Sequence, residues 1–250
     1  MTRTRTVLSA SRYIWLFLLF CSAAQAEWAR VAHVLDGDTV ILEDRRHVRL
    51  LAINTPEVAG KKRAAEPGGE AAKRWLKQRI EGQRVRLEED REKRDKYGRW
   101  LYYLFDRDGD LLNERLLANG LAVLSIHPPN LKYQARLQLA EGQAEAKELG
   151  IWGMPDYRPL LLPQLLAEKR QGWQRVRLTP EAIKYSRKYA RLAAGSGVDV
   201  RIAKSNLRYF PDLDAYLGCE LEVRGWVSWQ KDRASILIRH PSAVITRDCH

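Results

Sequence analysis

Residues 49–57 read RLLAINTPE, and this stretch decides the fold. Its apolar part predicts a β-strand that ends at Pro56, because proline cannot donate a hydrogen bond to a β-ladder. Two further segments flank it along the chain: residues 36–39 read DGDT, and residues 95–99 read DKYGR. Each combines a turn signal with a neighbouring strand-like run. Together the three segments supply two arginines, several carboxylates and a hydroxyl group.

The apolar pattern around these segments predicts short strands with helices between them. Strands are expected twice before residue 60 and then over 84–88, 100–105 and 121–126. Helical spacing, closed by glycines, is found over 66–81, 111–119 and 133–149. The fold class is therefore a β-barrel with helices (α+β), and we expect an OB-type five-stranded Greek-key barrel with flanking helices.

The C-terminal part predicts a second, smaller β-rich unit. Residues 221–227 and 234–239 alternate as two strands joined by a polar turn. Residues 179–181 read TPE, the pattern of an N-cap, a proline at the first helical position and a first-turn acid. This pattern predicts a helix that runs to about Ala194. An OB-like barrel is one option for this unit.

Composition divides the chain into four segments. Residues 1–26 have a positive n-region, an apolar run and a small-x-small site, which together predict a signal peptide. Residues 27–152 form the barrel domain, 153–172 a linker with three prolines, and 173–250 a basic accessory domain. We therefore expect a secreted or periplasmic protein with no stable membrane insertion after cleavage. An uncleaved anchor is the alternative interpretation.

The charge of the chain favours a polyanionic partner. The net charge is +12, and the pI is about 9.8. Residues 173–250 hold 14 basic and 8 acidic residues, whereas 27–152 hold 23 and 21. Nucleic acid and an anionic membrane surface both fit such an excess, as does a well-solvated basic protein. A hydrophobic fraction of 45% excludes a disordered chain.

The cysteines predict one disulfide. Cys21 lies in the predicted signal peptide, which leaves Cys219 and Cys249. An even pair in an oxidising compartment favours a bond between them, and two unpaired thiols are the alternative.

The three polar segments hold the residue types that phosphodiester hydrolysis needs. The reaction requires a positive charge at the phosphate, an oriented water and a group that accepts its proton. Arginine suits the first task because its planar fork binds two phosphate oxygens and keeps its charge. A hard cation such as Ca²⁺ needs oxygen ligands. Taken singly, these residues are more often turn formers or solvated surface charges.

In this order and spacing, the segments resemble the thermonuclease (staphylococcal nuclease-like) family. Residues 113–114, 120–122 and 150–152 fit the same family, so the resemblance covers about 28–152. It implies an OB-type barrel and a Ca²⁺-dependent endonuclease that hydrolyses DNA and/or RNA. It also implies an attack that releases the 5′ oxygen and leaves 3′-phosphate products. The sequence identifies no protein partner.

The resemblance implies roles for the residues at matching positions. Arg49 and Arg99 are expected to grip the scissile phosphate. Glu57 is expected to act as the general base or to orient the attacking water. Lys96 and Tyr97 fall where the family contacts the terminal phosphate of the nucleotide.

The implied metal ligands are Asp38, Asn54 and the backbone carbonyl of Thr55. Asn54 departs from the family pattern, which has an acid there; an amide oxygen can ligate Ca²⁺ but lacks the charge. We therefore expect weaker Ca²⁺ binding or a shift to Mg²⁺ or Mn²⁺. Residues 124–129 also depart, because they lack the family's base-stacking aromatics. His127 is the nearest substitute.

Two other functions stay open. One is a catalytically weak or inactive nucleic-acid-binding module on the same barrel, and the other is an exported envelope protein whose basic face meets anionic lipid. In the accessory domain, two tryptophans with nearby basic residues could stack on and grip a single strand, although core packing fits at least one of them equally well. These residues are Trp226, Trp229, Arg224 and Lys231.

Overall fold

Among the residues that the structure describes, the N-terminal unit has a closed five-stranded barrel, a separate two-stranded sheet and three α-helices. The computed structural model describes residues 27–60, 64–195 and 197–249, so the predicted signal peptide 1–26 lies outside the described residues. The strands are β1 (Glu27–Val34), β2 (Thr39–Leu42), β3 (His47–Leu50), β4 (Ile53–Asn54), β5 (Arg84–Glu88), β6 (Trp100–Phe105) and β7 (Val123–Leu124). The helices are α1 (Gly69–Ile80), α2 (Leu112–Ala118) and α3 (Gln134–Ala146).

The barrel follows the order β1-β2-β3-β6-β5 and closes through pairing of β1 with β5. All its neighbours are antiparallel except β3 and β6, which run parallel. Alternate side chains point inward and form one apolar core, against which α1 packs Leu76 and Ile80, both fully buried. The predicted OB-type barrel with flanking helices is confirmed.

A backbone bend divides what the sequence predicts as a single strand over 48–53. The structure has β3 and β4 there, separated by Leu51 and Ala52. Ala52 has a φ of 62°, in the left-handed region that residues with a Cβ rarely adopt. The amide of Leu51 donates to the carbonyl of Tyr102, and that of Ser125 to the carbonyl of Ala52, at 3.0 and 2.8 Å. These contacts hold the bend and lead the chain out of the barrel wall.

The second unit is built on an eight-stranded sheet. Its elements are β8 (Leu160–Leu161), α4 (Leu162–Glu168), β9 (Gly172–Leu178), β10 (Ala182–Tyr185), β11 (Tyr189–Ala194), β12 (Val198–Ala203), β13 (Cys219–Gln230), β14 (Arg233–Ile238) and β15 (Val244–Cys249). The strand order is β10-β11-β12-β14-β13-β9-β8, and β15 pairs with β13. The predicted second β-rich unit is confirmed.

The helix predicted from 179–181 to Ala194 is wrong. The segment forms the antiparallel hairpin of β10 and β11, in which Ala182 pairs with Ala193. Burial along the first part of β11 alternates, with Ala190 and Leu192 fully buried and their neighbours partly exposed. Pairing of β11 with β12 therefore outweighs the local helix-start signal, since the strand buries one face against a distant segment.

The predicted linker 153–172 contains ordered structure. Leu160 of β8 pairs in parallel with Val176 of β9. Leu160 and Leu165 also belong to the hydrophobic core of the second unit. Packing of that unit therefore begins at Leu160.

The two predicted partner cysteines lie on neighbouring strands. Cys219 of β13 is opposite Cys249 of β15, with their Cα atoms 4.1 Å apart and their sulfur atoms bonded. The bond ties β15 to the long central strand.

Buried ion pairs hold the two units together. Arg224 of β13 lies 2.7 Å from Glu145 of α3 and 2.9 Å from Glu222. Arg175 of β9 pairs with the same two carboxylates. The ring of Trp152 lies 5.3 and 5.5 Å from the two guanidinium groups. Because both arginines are buried, each depends on these partners to offset the cost of losing water.

The charge state of Glu222 is central to this network. Burial alone would raise its pKa, but the hydrogen bonds from Arg175 and Arg247 and the charge of Arg224 lower the pKa to about 2. Although Glu222 is fully buried, this low pKa keeps its carboxylate ionised at neutral pH.

We expect acid to weaken the folded protein through Glu222. A folded-state pKa below the ordinary 4.5 gives stabilisation that is complete above pH 4.5 and is lost as the pH falls towards 2. Glu222→Gln removes this titration, so its unfolding free energy should change less with pH in that range. At pH 7 the variant should be less stable by about 3–5 kcal/mol, because two buried arginines lose a charged partner.

Urea unfolding between pH 2.5 and 7 measures this effect. The matched control is Glu220→Gln, an exposed position on the same strand, which should keep the wild-type profile. Glu141, whose pKa is raised by burial, is present in the wild type and in both variants. A difference between the profile of Glu222→Gln and the other two therefore comes from Glu222. Identical pH profiles for Glu222→Gln and the wild type would contradict the assignment.

Candidate active site

The DGDT turn between β1 and β2 presents Asp38. The amide of Asp38 donates to the carboxylate of Asp36 at 2.9 Å, which shapes the turn. Gly37 lies against α1 and the segment after β4: a Cβ added there would lie 2.6 Å from the Cβ of Ala72 and 2.7 Å from Thr55. Glycine is therefore needed for the turn to approach these residues so closely.

Asp38 is the hub of the site. It is 5% exposed, and its carboxylate accepts from the amide of Thr55 at 2.7 Å and from the hydroxyl of Thr39 at 3.1 Å. The carboxylate oxygen that accepts from Thr55 also lies 3.0 Å from a terminal nitrogen of Arg49. These contacts join the turn, β3 and the segment after β4.

Arg49 is held by acceptors on three sides. Besides Asp38, it donates to the carbonyl of Leu50 at 2.8 Å and to the side-chain oxygen of Asn54 at 3.1 Å. The amide nitrogen of Asn54 lies 3.3 Å from the carbonyl of Thr55. Arg49 therefore has a fixed position beside the oxygens of Asp38 and Asn54.

Arg99 is oriented by its own turn. Its Nε donates to the carboxylate of Asp95 at 2.7 Å, and the amides of Tyr97 and Arg99 donate to the other oxygen at 2.9 and 3.0 Å. Gly98 supplies the positive φ of 81° that this turn needs. The two terminal nitrogens of Arg99 make no hydrogen bond within the part of the chain that the structure describes.

The backbone of Glu57 is fixed by the start of α1. Its amide donates to the carboxylate of Glu66 at 3.0 Å, and its carbonyl accepts from the amide of Glu66 at 2.8 Å. A Cβ on Gly69 would lie 2.5 Å from that carbonyl oxygen. The sequence pattern did not mark Glu66 or Gly69 as supports for Glu57.

Seven of the predicted site residues line one pocket of about 440 Å³. They are Asp38, Arg49, Asn54, Glu57, Lys96, Tyr97 and Arg99. Thr55 is buried and bonded to Asp38. Cys219 and Cys249 belong to the second unit, where their bond is structural.

The second unit contributes differently from the sequence prediction. Arg224, one of the residues that could grip a single strand, is buried in the ion pairs with α3. Trp229 packs against the second core and donates its Nε1 to the carbonyl of Arg170 at 2.8 Å. Trp226 is 45% exposed. Arg239, which the sequence analysis missed, lines the pocket from the end of β14, and no local signal marks it.

The charges in the pocket act on its other groups. Burial and the nearby charge of Asp38 raise the pKa of Asp36 to about 6. His127 lines the pocket and is exposed to solvent there. Protein atoms packed around the ring and the positive charges of Arg239 and Arg49 lower the pKa of His127, so its ring is neutral at pH 7.

The oxygen donors fit a hard cation in kind. Asp36, Asp38 and Asn54 line the pocket, and the carbonyl of Thr55 lies beside Asn54. Carboxylate, amide and carbonyl oxygens are the ligands that Ca²⁺ takes. Among the described residues there is no metal-binding cluster of three or more His, Cys, Asp or Glu side chains. Neutral oxygens and water would therefore make up much of the coordination.

Comparison with known proteins gives the family. Residues 47–154 match the family model described as "Staphylococcal nuclease homologue". The thermonuclease of Staphylococcus intermedius is 42% identical over 126 residues, which cover 49% of this chain and 74% of that protein. The chain belongs to the staphylococcal nuclease family. The predicted family resemblance is thereby confirmed.

Two further relatives each match about half of this staphylococcal nuclease family member. The thermonuclease of Staphylococcus hyicus is 34% identical over 134 residues, covering 52% of this chain and 79% of that protein. Endonuclease YncB of Bacillus subtilis (strain 168) is 38% identical over 128 residues, covering 49% and 60%. The family model ends before β8, so it does not include the second sheet.

We expect Gly37→Ala to destabilise this site. The added methyl group would overlap Ala72 and Thr55, so the turn must shift, at a cost of about 1–3 kcal/mol. Gly142→Ala within α3 is the control, because a Cβ there meets nothing within 4 Å. That control should be neutral or stabilising by about 0.5–1 kcal/mol. Urea unfolding measures both, and equal stability of Gly37→Ala and the wild type would contradict the tight packing.

Proposed function

We propose that this member of the staphylococcal nuclease family is a metal-dependent nuclease that hydrolyses phosphodiester bonds of DNA and/or RNA. The observation that carries the proposal is that Arg49, Arg99, Glu57 and Asp38 line the same pocket. Relatives named thermonuclease and endonuclease support the same activity.

The two arginines serve the phosphate. Guanidinium groups neutralise the charge that builds on the phosphate oxygens in the transition state. Arg99 offers its two terminal nitrogens, since its Nε is held by Asp95. Arg49 is positioned in advance by Asp38 and Asn54. Because neither side chain must search for its position, little ordering remains to be done when substrate binds.

Glu57 acts on the attacking water. A carboxylate in the pocket can accept the proton of the attacking water or hold that water in line with the leaving oxygen. The backbone of Glu57 is hydrogen-bonded to Glu66, and Gly69 packs closely against its carbonyl group. We assign Glu57 this role, with release of the 5′ oxygen and 3′-phosphate products.

Asp38, Asn54 and the carbonyl of Thr55 would hold Ca²⁺, with Asp36 beside them. When bound, such a cation supplies further positive charge at the phosphate. Lys96 and Tyr97 lie at the pocket rim, where the terminal phosphate of the nucleotide would enter.

We also propose export to the periplasm or outside the cell. The support is the signal-peptide pattern of residues 1–26, together with a Cys219–Cys249 disulfide of the kind that persists in oxidising compartments. Among the described residues, no helix is both long and apolar enough to cross a membrane.

A nucleic-acid-binding module with weak or no catalysis is the second candidate. The contacts of Arg49 favour this second candidate, because its guanidinium nitrogens already contact Asp38, Asn54 and the carbonyl of Leu50. The amide of Asn54 also brings less negative charge to a cation than an acid would.

Removing either catalytic group should abolish most of the cleavage. Glu57→Gln and Arg99→Ala are each expected to lower the single-turnover rate roughly 10²- to 10⁴-fold. Single- and double-stranded DNA and RNA are digested with Ca²⁺, Mg²⁺ or Mn²⁺, and the product ends are analysed. Glu70→Gln, exposed on α1, is the matched control. Binding without cleavage by the wild type would favour the second candidate, and full activity of Glu57→Gln would remove its role.

Restoring an acid at position 54 should strengthen Ca²⁺ binding. An added negative charge among the donors is expected to raise the affinity of Asn54→Asp roughly tenfold. Calorimetric titration with Ca²⁺ alone measures this without reference to activity. Gln78→Glu adds the same charge on the exposed face of α1 and should leave the affinity unchanged. Equal affinities of Asn54→Asp and the wild type would count against these residues as ligands.

A further inference from the structure

A cleft of about 450 Å³ runs between the two units and joins the catalytic pocket. On the side of the second unit it is lined by β13 and β14, including Trp226 and Leu237. Six residues line both cavities: Asn54, Lys96, Tyr97, Ser125, His127 and Arg239. A chain bound at Arg49 and Glu57 could therefore continue directly along the second sheet.

Arg239 stands at the junction of the two cavities. Its side chain is half-buried. Within the described residues, its guanidinium group has no carboxylate within 4 Å and makes no hydrogen bond. Arg239, Arg49 and His127 all line the catalytic pocket, so the charges of both arginines lie at this cavity. A half-buried cation without a counter-ion is costly, and a phosphate would offset that cost.

A row of cations continues from Leu237 across the sheet. Leu237 of β14 pairs with Arg201 of β12, Arg201 with Arg191 of β11, and Arg191 with Lys184 of β10. Side chains paired in this way share a face, and like charges directly opposite each other destabilise a sheet. Arg191 is paired with Asp199 at 3.2 Å, whereas Arg201 and Lys184 have no salt bridge in the described part of the chain. With strands about 4.8 Å apart, the row extends about 14 Å.

Exposed aromatic rings complete the cleft. Trp226 lies opposite Leu237 on β13 and is 45% exposed. Tyr97, on the other wall, is 73% exposed. Unpaired bases stack on such rings, with roughly 1–3 kcal/mol per base. The bases of a duplex are already stacked on each other, and lipid headgroups have no ring faces to stack on these side chains. The exposed rings therefore favour a single strand.

We propose that this cleft and the cation row form a track for a single-stranded segment of the nucleic-acid substrate, with Arg239 as the first phosphate contact beyond the catalytic pocket. The proposal rests on the proposed function, because the strand in the track is the substrate of the barrel. It gives the second sheet a role in substrate binding that the barrel alone does not provide.

Equilibrium binding tests the track independently of catalysis. The full chain is titrated with a fluorescent 20-nucleotide oligothymidylate in EDTA, over a range of salt concentrations, and anisotropy is read. Arg239→Ala should reduce the magnitude of the negative slope of log K against log salt by about 0.7. The double variant Lys184→Ala, Arg201→Ala should reduce it by about 1.4. Trp226→Ala should weaken binding roughly tenfold or more with the slope unchanged, since stacking involves no counterion release. The control is Arg107→Ala, which removes the same charge from an exposed turn outside both cavities.

The outcomes separate the track from the hydrolysis. Wild-type slopes in both Arg239→Ala and the double variant would overturn the track, whether or not the protein cleaves DNA. If these slopes fall but no cation supports cleavage, the track stands and the hydrolytic proposal fails. A 20-base-pair duplex or phosphatidylserine vesicles that compete as well as the single strand would overturn the assignment of the occupant. The double variant, at one exposed and one partly exposed position, keeps the test valid if Arg239→Ala does not fold.

Discussion

The pairing of two buried arginines with carboxylates from both units governs the arrangement of this protein. Arg175 and Arg224 are nearly inaccessible to water, so each needs the carboxylates of Glu145 and Glu222 within hydrogen-bond distance. A displacement of one unit against the other would leave a buried charge unpaired, which is far more costly than a lost surface contact. Since Glu145 belongs to α3 and Glu222 to β13, the network specifies how the sheet sits on the barrel.

That arrangement decides what surrounds the candidate active site. β13 carries Arg224 and pairs with β14, and Arg239 follows the end of β14. Fixing β13 on α3 therefore also fixes Arg239 in the pocket that His127 and Arg49 line. The barrel domain, nearly balanced in charge, holds the groups suited to chemistry. The basic second unit adds the charge and exposed aromatic surface that favour a long polyanion.

Inside the barrel domain, the site depends on close backbone approaches. The turn at Gly37 packs on α1, and Gly69 packs on the carbonyl of Glu57. The bend at Ala52 directs the chain from β3 towards Asn54 and the following residues. These features hold Asp38 and Arg49 together before any substrate binds, and such preorganisation is what gives charged groups their effect in a catalytic site.

The sequence by itself determined the barrel, the family and the set of groups available for chemistry. Turn residues such as those of the DGDT and DKYGR segments, and the alternation of apolar residues, act locally and could be interpreted correctly. The tertiary structure alone decided the strands at 182–194, the bend at Ala52 and the positions of Glu66 and Arg239. Glu66 is bonded to Glu57 across a loop of the chain, and the other features depend on partners farther away: a neighbouring strand, a distant carbonyl, or a buried ion pair between two units. Local patterns carry no record of such partners, because pairing and the burial of charge are settled only when the whole chain packs.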